Sequence, residues 1–399
     1  MPTAIRHGWS FAMLPAESSI EDAQQADWFP VDIPHDWLIS DTDHLYRDGD
    51  GWYRRTLFLS KEALSGHVFL SFDGIYMDAD ILLNGRLLFT EHYGYAPFVL
   101  ELTPFAFEGS NELLVHVRHR SPNSRWYSGA GIFRDADLLV LPEICFAPDS
   151  ISAQPILHAS GAWDLSITAD ILGYAPVSSA EFILCDRTSE IASETASIEN
   201  GHLSLILPCP SVHTWSPDSP YCYQLRCILG NQEETITIGF RSIRADPDHG
   251  LFLNDEHIKV HGVCLHHDLG CLGAAFHVEA AHRQLSRLRE IGVNAIRTSH
   301  NPPARQFLDL CDRLGFLVMD EAFDMWESSK TTYDYARFFS AHAAEDLRRM
   351  VRRDRNHPCV FFWSIGNEIP DTHSSGKAPQ MTRYLRDTIR LLTTLPAMH

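Results

Sequence analysis

The sequence predicts a multidomain β and α/β protein in which two successive β-sandwiches precede a set of parallel βα units. Three observations lead there. The chain has 399 residues, too many for one ordinary hydrophobic core and enough for two or three domains. Short apolar runs separated by turn residues fill the chain to about residue 240. Beyond Gly250 strand-length runs alternate with amphipathic helical ones, the mark of parallel βα units.

The elements follow in order. Runs at 51–59, 67–72, 79–83, 112–116 and 136–141 read as strands of the first sandwich, and Asn84-Gly85 is a two-residue hairpin signal. Alternation at 163–171, 180–185, 203–207, 223–229 and 235–240 predicts a second sandwich of immunoglobulin-like size. Barrel-type strands are expected at 258–263, 294–297, 316–319 and 360–364, with helices at 278–291, 303–314, 341–353 and 380–392. The resulting division is 1–145, 146–245 and 246–399.

Composition narrows the function. Lys and Arg number 32 against 52 Asp and Glu, and a net charge of -20 repels polyphosphate and anionic lipid, so no nucleic-acid or membrane partner is expected. No run approaches the length of a membrane span, and the N-terminal residues lack the apolar core of a secretory signal, which predicts a cytoplasmic protein. The nine cysteines form no CxxC pair and lie mostly in apolar runs, a pattern of buried free thiols in a reducing compartment.

In parallel α/β folds, functional groups collect where strands end. The four predicted strands run into His266-His267-Asp268, Arg297-Thr298-Ser299-His300-Asn301, Asp320-Glu321 and Asn367-Glu368. A purely structural sheet needs no titratable rim at every strand end. His266 and His267 are pocket residues or a metal pair, and adjacent strand positions that face opposite ways disfavour the pair.

The segment from Asp354 through Asn356-His357-Pro358 to Gly366-Asn367-Glu368 resembles the acid/base signature of glycoside hydrolase family 2, and the run from Asn294 through Arg297 to Pro303 resembles that family's other signature. Asn301 stands where the second pattern most often has Tyr. Similar stretches recur earlier: Ile33-Pro34-His35-Asp36-Trp37, Gly51-Trp52-Tyr53-Arg54-Arg55 and Trp126-Tyr127-Ser128-Gly129-Ala130-Gly131-Ile132-Phe133-Arg134 resemble the family's sugar-binding sandwich, and Gly239-Phe240-Arg241 its entry to the barrel. His266-His267-Asp268 and the segment Asp320 to Trp326 point to the β-galactosidase branch.

The resemblance implies a jelly-roll-like sandwich, an immunoglobulin-like sandwich and a partial (β/α)8 TIM barrel of about four units. It implies a retaining hydrolase of β-D-galactosides, in which one carboxylic acid protonates the leaving oxygen and a second carboxylate about 5 Å away attacks the anomeric carbon. Glu368 is the implied acid, Asn367 a ligand of the sugar 2-hydroxyl, and Arg297 the cation that keeps the nucleophile ionised. His300 binds sugar hydroxyls or that carboxylate. His266, His267, Asp268 and Asp320 are expected to bind substrate, and Trp326 either stacks on the sugar or packs. The role of Arg125, near the point where the sandwich meets the pocket, is open. No cofactor is implied. A Mg²⁺ site found in some members is not expected, because Met325 and Glu327 occupy its positions.

The family nucleophile belongs to the seventh strand, about 90 residues past the fourth at roughly 30 residues per unit. The 31 residues after Glu368 contain no Glu, and their carboxylates are Asp371 and Asp387. Asp371 is a poor substitute, three residues along the same loop. The expectation is therefore an N-terminal portion of a longer hydrolase with impaired turnover, or a carbohydrate-binding remnant. A glucuronidase or mannosidase of the same family is a further alternative. The fourth strand, apolar on both faces, would expose its edge, so self-association as a homo-oligomer is an expected outcome.

Overall fold

The computed structural model describes residues 2–173 and 179–373. The first sandwich faces a six-stranded antiparallel sheet against a four-stranded one. The larger sheet has the spatial order Phe29–Val31, Trp9–Leu14, Gly49–Leu59, Gly109–His119, Ala79–Leu83, Arg86–Glu91, and the smaller Thr3–Ala4, Ala136–Leu141, His67–Phe72, Phe98–Glu101. Period-2 alternation fills the space between them: Phe11, Tyr53, Leu57, Leu70, Phe72, Ile81 and Val115 are buried together. Asn84 and Gly85 take φ of 52° and 77°, the pair of positive values that a two-residue hairpin needs. The sequence did not reveal Trp9–Leu14, Phe29–Val31 or Phe98–Glu101. These are short, and Pro30 interrupts one of them.

In the second sandwich Trp163–Leu172 lies between His202–Cys209 and the pair Cys145–Phe146 and Ser152–Leu157, opposite a sheet ordered Ser189–Ser197, Ser179–Asp186, Tyr223–Leu229, Gln232–Ile238. The last strand starts three residues before its expected position because it turns straight back from Leu229, which pairs with Gln232. Ile243–Asp246, Gly250–Leu253 and Glu256–His257 then form a small meander.

The barrel portion is a four-stranded parallel sheet in sequence order: Gly262–His266, Ala295–Ser299, Leu317–Glu321 and Val360–Ser364. Its first strand begins later than the apolar run at 258–263 suggested. Ile258 donates to Leu251 O of the meander at 2.9 Å, and pairing starts only at Gly262, opposite Ala295. The helices are Val278–Glu290, Arg305–Leu314 and Ala336–Asp354. The third is longer than expected because Phe339, ahead of the predicted start, is buried beside Phe323 and Tyr335. The helix expected at 380–392 and Asp387 lie outside the described residues. Among the described residues no helix is long and apolar enough to cross a membrane.

Both sandwiches grip the barrel, and this fixes the rim. Arg353, fully buried, pairs with Asp354 at 2.5 Å and with Asp73 of the first sandwich at 2.7 Å. Arg134 donates to Pro302 O at 2.6 Å. Asn356 bonds the backbone of Ala153 and Ile151 at 2.9 and 2.8 Å. Gly315, at φ 74°, ends the second helix so close to the second sandwich that a Cβ would stand 2.2 Å from Pro217 O, which leaves glycine as the residue that fits.

Candidate active site

Parallel register decides which rim residues meet. Arg297 pairs with Met319, so Arg297 and Glu321, two residues on, share one face, and Asp320 points to the other. Glu321 is fully buried. Its Oε2 accepts from Arg297 Nε and Nη2 at 2.9 and 2.7 Å and from Ser364 Oγ at 2.6 Å, and its Oε1 bonds His300 Nδ1 at 2.7 Å. Burial works against the charge, but the bonds from His300, Ser364 and Arg297 outweigh it and hold the carboxyl below the usual Glu range.

A second buried carboxylate, Asp324, lies just past the same strand. It receives Arg125 Nε at 2.8 Å and Nη2 at 3.0 Å, Lys330 Nζ at 2.9 Å and Asn367 Nδ2 at 2.8 Å. Here too burial opposes ionisation, and Arg125, Asn367 and Lys330 overcome it, lowering the Asp324 pKa. Asn367 links the two clusters, since its Oδ1 accepts from Arg297 Nη2 at 2.8 Å. It is buried with both ends of its amide engaged, so the expected bond to a sugar hydroxyl would have to come from the remaining N–H.

Glu368 is different in kind. Its side chain is 73% exposed, with Oε2 at 3.2 Å from Arg125 Nη2 and 3.9 Å from Lys330 Nζ. Its φ of 45° lies in the left-handed region, at a cost of about 1–2 kcal/mol for a side-chain-bearing residue. The turn at Gly366-Asn367 aims this carboxyl outward while its neighbour stays inside. Its cations are Arg125 and Lys330, whereas Arg297 is committed to Glu321 and Asn367.

The other expected residues divide between the site and its surroundings. Asp320 is fully buried on the opposite face of its strand from Glu321, beside Asp354 and Arg353. Trp326 packs against Phe339 and donates Nε1 to Ile365 O at 2.9 Å, so of its two expected roles it takes packing. His266 and His267 separate as adjacent strand residues must. His266 stacks on Tyr127 at 4.6 Å and stands 5.4 Å from the His300 ring. His267 packs against Phe133 and Phe276, where burial and nearby Arg134 lower its pKa. With Asp268 it lines a cleft against the first two barrel helices that includes Phe276 and Phe307. Asp371 is buried and accepts from Ser328 N and Oγ at 3.1 and 2.8 Å. Met325 is buried in an aromatic cluster, and Glu327 accepts from Ser340 at 3.0 Å.

Glu321, Asp324 and Lys330 were missed as site residues; strand parity relative to Arg297 was the signal for the first. Asp312, His357 and Cys359 bring ligand-type atoms within 4.8 Å of one another, but they serve each other. His357 Nδ1 bonds Asp312 Oδ2 at 2.6 Å, and Cys359 N donates to Asp312 Oδ1 at 2.9 Å.

Comparisons with known proteins agree with this architecture. The family description "Glycosyl hydrolases family 2, TIM barrel domain" matches residues 246–394, and "Glycosyl hydrolases family 2, sugar binding domain" matches residues 32–142. The chain is 39% identical to Beta-galactosidase BoGH2A of Bacteroides ovatus over 387 residues, which is 89% of this chain and 45% of that protein. It is 32% identical to a putative beta-glucuronidase of Formosa agariphila over 413 residues, 98% of this chain and 40% of that one. The crystal structure of a glycosyl hydrolase family 2 member from Bacteroides cellulosilyticus superimposes with a TM-score of 0.89 at 31% identity, covering 100% of this chain and 55% of that one. The chain spans about half the length of the curated relatives it matches. With the two domain matches taking in well over half of its residues, and with a solved family member superimposing over the whole chain, the chain belongs to glycosyl hydrolases family 2.

Proposed function

We propose that this chain supplies the acid/base half of a retaining glycosidase that cleaves terminal β-D-galactosides. The observation that carries the reading is the contrast among three rim carboxylates. Glu321 and Asp324 are buried and locked in ion pairs, whereas Glu368, paired with Arg125 through Oε2, projects into solvent where a glycosidic oxygen can reach it. In the first step Glu368 gives its proton to the leaving oxygen as the C–O bond breaks and a carboxylate attacks the anomeric carbon. In the second it takes a proton from water as the glycosyl ester is hydrolysed. Arg297, His300 and Asn367 form the floor on which the sugar sits.

The attacking carboxylate is a separate matter. Glu321 and Asp324 are buried with both carboxylate oxygens engaged, Asp371 is held by Ser328, and the sequence after Glu368 holds no Glu. Turnover therefore needs a nucleophile in addition to the residues described. Galactose is favoured by resemblance to a relative named as a β-galactosidase, while relatives named as β-glucuronidases make the uronide the second reading.

The test compares the 399-residue chain with the same chain continued through four further βα units, on chromogenic β-galactosides and β-glucuronides. Galactoside cleavage by the longer protein only, with its kcat lowered in Glu368→Gln, is expected. Cleavage confined to the glucuronide would overturn the sugar assignment. Robust galactoside cleavage by the 399-residue chain, lost in its Glu368→Gln variant, would overturn the missing nucleophile.

A further inference from the structure

Glu368 owes its outward pose to the peptide that precedes it. Its φ of 45° lies in the left-handed region, which a residue with a side chain keeps only where the surrounding bonds enforce it. Asn367 shows the enforcement. Its N donates to Phe323 O at 2.9 Å, its side-chain amide is bonded to Arg297 and Asp324, and its carbonyl accepts from Lys330 Nζ at 2.9 Å. That last bond fixes the tilt of the Asn367–Glu368 peptide plane, whose rotation would carry Glu368 to an ordinary φ. Neutralising Asp324 does not explain the ammonium, because Asp324 Oδ1 already receives Arg125 Nη2 and Asn367 Nδ2 at 3.0 and 2.8 Å. Lys330 is itself held. Its N donates to Asp334 Oδ2 at 2.6 Å, Thr331 N donates to the same oxygen at 2.8 Å, and Asp334 is fully buried. From this fixed loop Lys330 Nζ stands 3.9 Å from Glu368 Oε2, outside hydrogen-bond range, so it attracts the carboxyl without bonding it.

We propose that Lys330 is a positioning residue for proton transfer: by holding the Asn367 carbonyl it keeps the Glu368 carboxyl aimed out of the rim at the leaving oxygen. This rests on the reading of Glu368 as the acid. Lys330 touches no reacting atom in this role. Without it the peptide plane can turn, Glu368 relaxes toward an ordinary φ and its carboxyl leaves the line of the proton, where a misplacement of about 1 Å costs about 100-fold. Arg297 and His300, on which the sugar sits, are fastened to Glu321, so the effect falls on protonation of the leaving group and spares the sugar.

The experiment measures kcat/KM for methyl β-D-galactoside, whose alcohol leaves only with a proton, and for dinitrophenyl β-D-galactoside, whose phenolate leaves without one. The protein is the chain continued through the remaining barrel strands, as wild type, Lys330→Met, Lys330→Arg and Glu368→Ala. Lys330→Met should lower kcat/KM for the methyl galactoside by about 10- to 100-fold and for the dinitrophenyl galactoside by less than about threefold. Lys330→Arg, which keeps a donor and a charge, should recover part of the loss. A destabilised variant has fewer active molecules and loses both activities by one factor, so the ratio between the two substrates is blind to misfolding. Equal losses for both substrates in Lys330→Met, or no loss for either, would overturn the positioning role while a selective loss in Glu368→Ala left the acid in place. If Glu368→Ala is itself indifferent to the leaving group, the acid reading fails and the role of Lys330 falls with it. A wild type that cleaves neither galactoside would overturn the galactosidase reading first.

Discussion

Arg125 and Asp324 are 199 residues apart in sequence, yet they share a two-pronged ion pair of 2.8 and 3.0 Å that carries a first-sandwich side chain into the barrel rim. Asp324 is 6% exposed and Arg125 36%. Removing Arg125 leaves the carboxylate with Lys330 and Asn367 only. Because more than a third of the arginine faces water, the loss should fall below the range for fully buried pairs, at about 1–2 kcal/mol for Arg125→Ala. Urea unfolding checks this, and Arg125→Lys should recover only part, since an ammonium cannot form the fork.

Glu321→Gln keeps the shape of the central carboxylate and removes its charge. Arg297 and His300 then face a neutral acceptor in a buried site, and a loss of about 3 kcal/mol at pH 7 is expected. The sign with pH follows from the lowered pKa. Stability from ionised Glu321 is fully present above the unfolded value of 4.5 and is lost as pH falls through the depressed folded value. Wild type and variant should therefore converge in stability on acidification, which urea midpoints between pH 3 and 7 would show.

The neighbouring Asp320 should behave in the opposite way. Burial, then the Asp354 charge, push its pKa well up. A raised carboxyl stabilises the fold below its unfolded value of 3.8, and that contribution is lost as pH rises toward the folded value. Asp320→Asn mimics the protonated form. Its stability relative to wild type should rise with pH, reaching a gain of about 1–2 kcal/mol near pH 8. A variant that weakens relative to wild type over that range would refute the assignment.

These two adjacent residues also show where the sequence was legible and where it was not. The change of period after Gly250 and the Asn84-Gly85 turn placed sheets and helices, because apolar periodicity is local. Which of Asp320 and Glu321 faces the site depends on the register between parallel strands, a long-range property fixed by pairing Arg297 with Met319. Asp324 and Lys330 were obscure for the same reason. Their partners, Arg125 and Asn367, come from another domain and another loop. Trp326 kept two readings because an aromatic residue near a site has the same sequence appearance whether it stacks on a ligand or on Phe339.

The role of Glu368 as acid makes a prediction that a binding or structural role does not. Protonation matters in proportion to how poorly the leaving group leaves. A nitro-substituted phenol departs as a stabilised anion without a proton, whereas a sugar or alkyl alcohol cannot. In an active form that includes the remaining barrel strands, Glu368→Ala should lower kcat/KM for an alkyl or glycosyl β-galactoside by about 10²–10⁴-fold, the usual contribution of a positioned acid. For a dinitrophenyl galactoside the fall in kcat/KM should be less than about tenfold, because that ratio reports the steps through departure of the leaving group. kcat should still drop for both, since the second step has lost its base. The side chain is 73% exposed, so substitution should leave the melting temperature nearly unchanged and the comparison free of misfolding. Equal losses in kcat/KM for good and poor leaving groups would show that Glu368 acts through binding or fold, and would move the acid to another carboxylate.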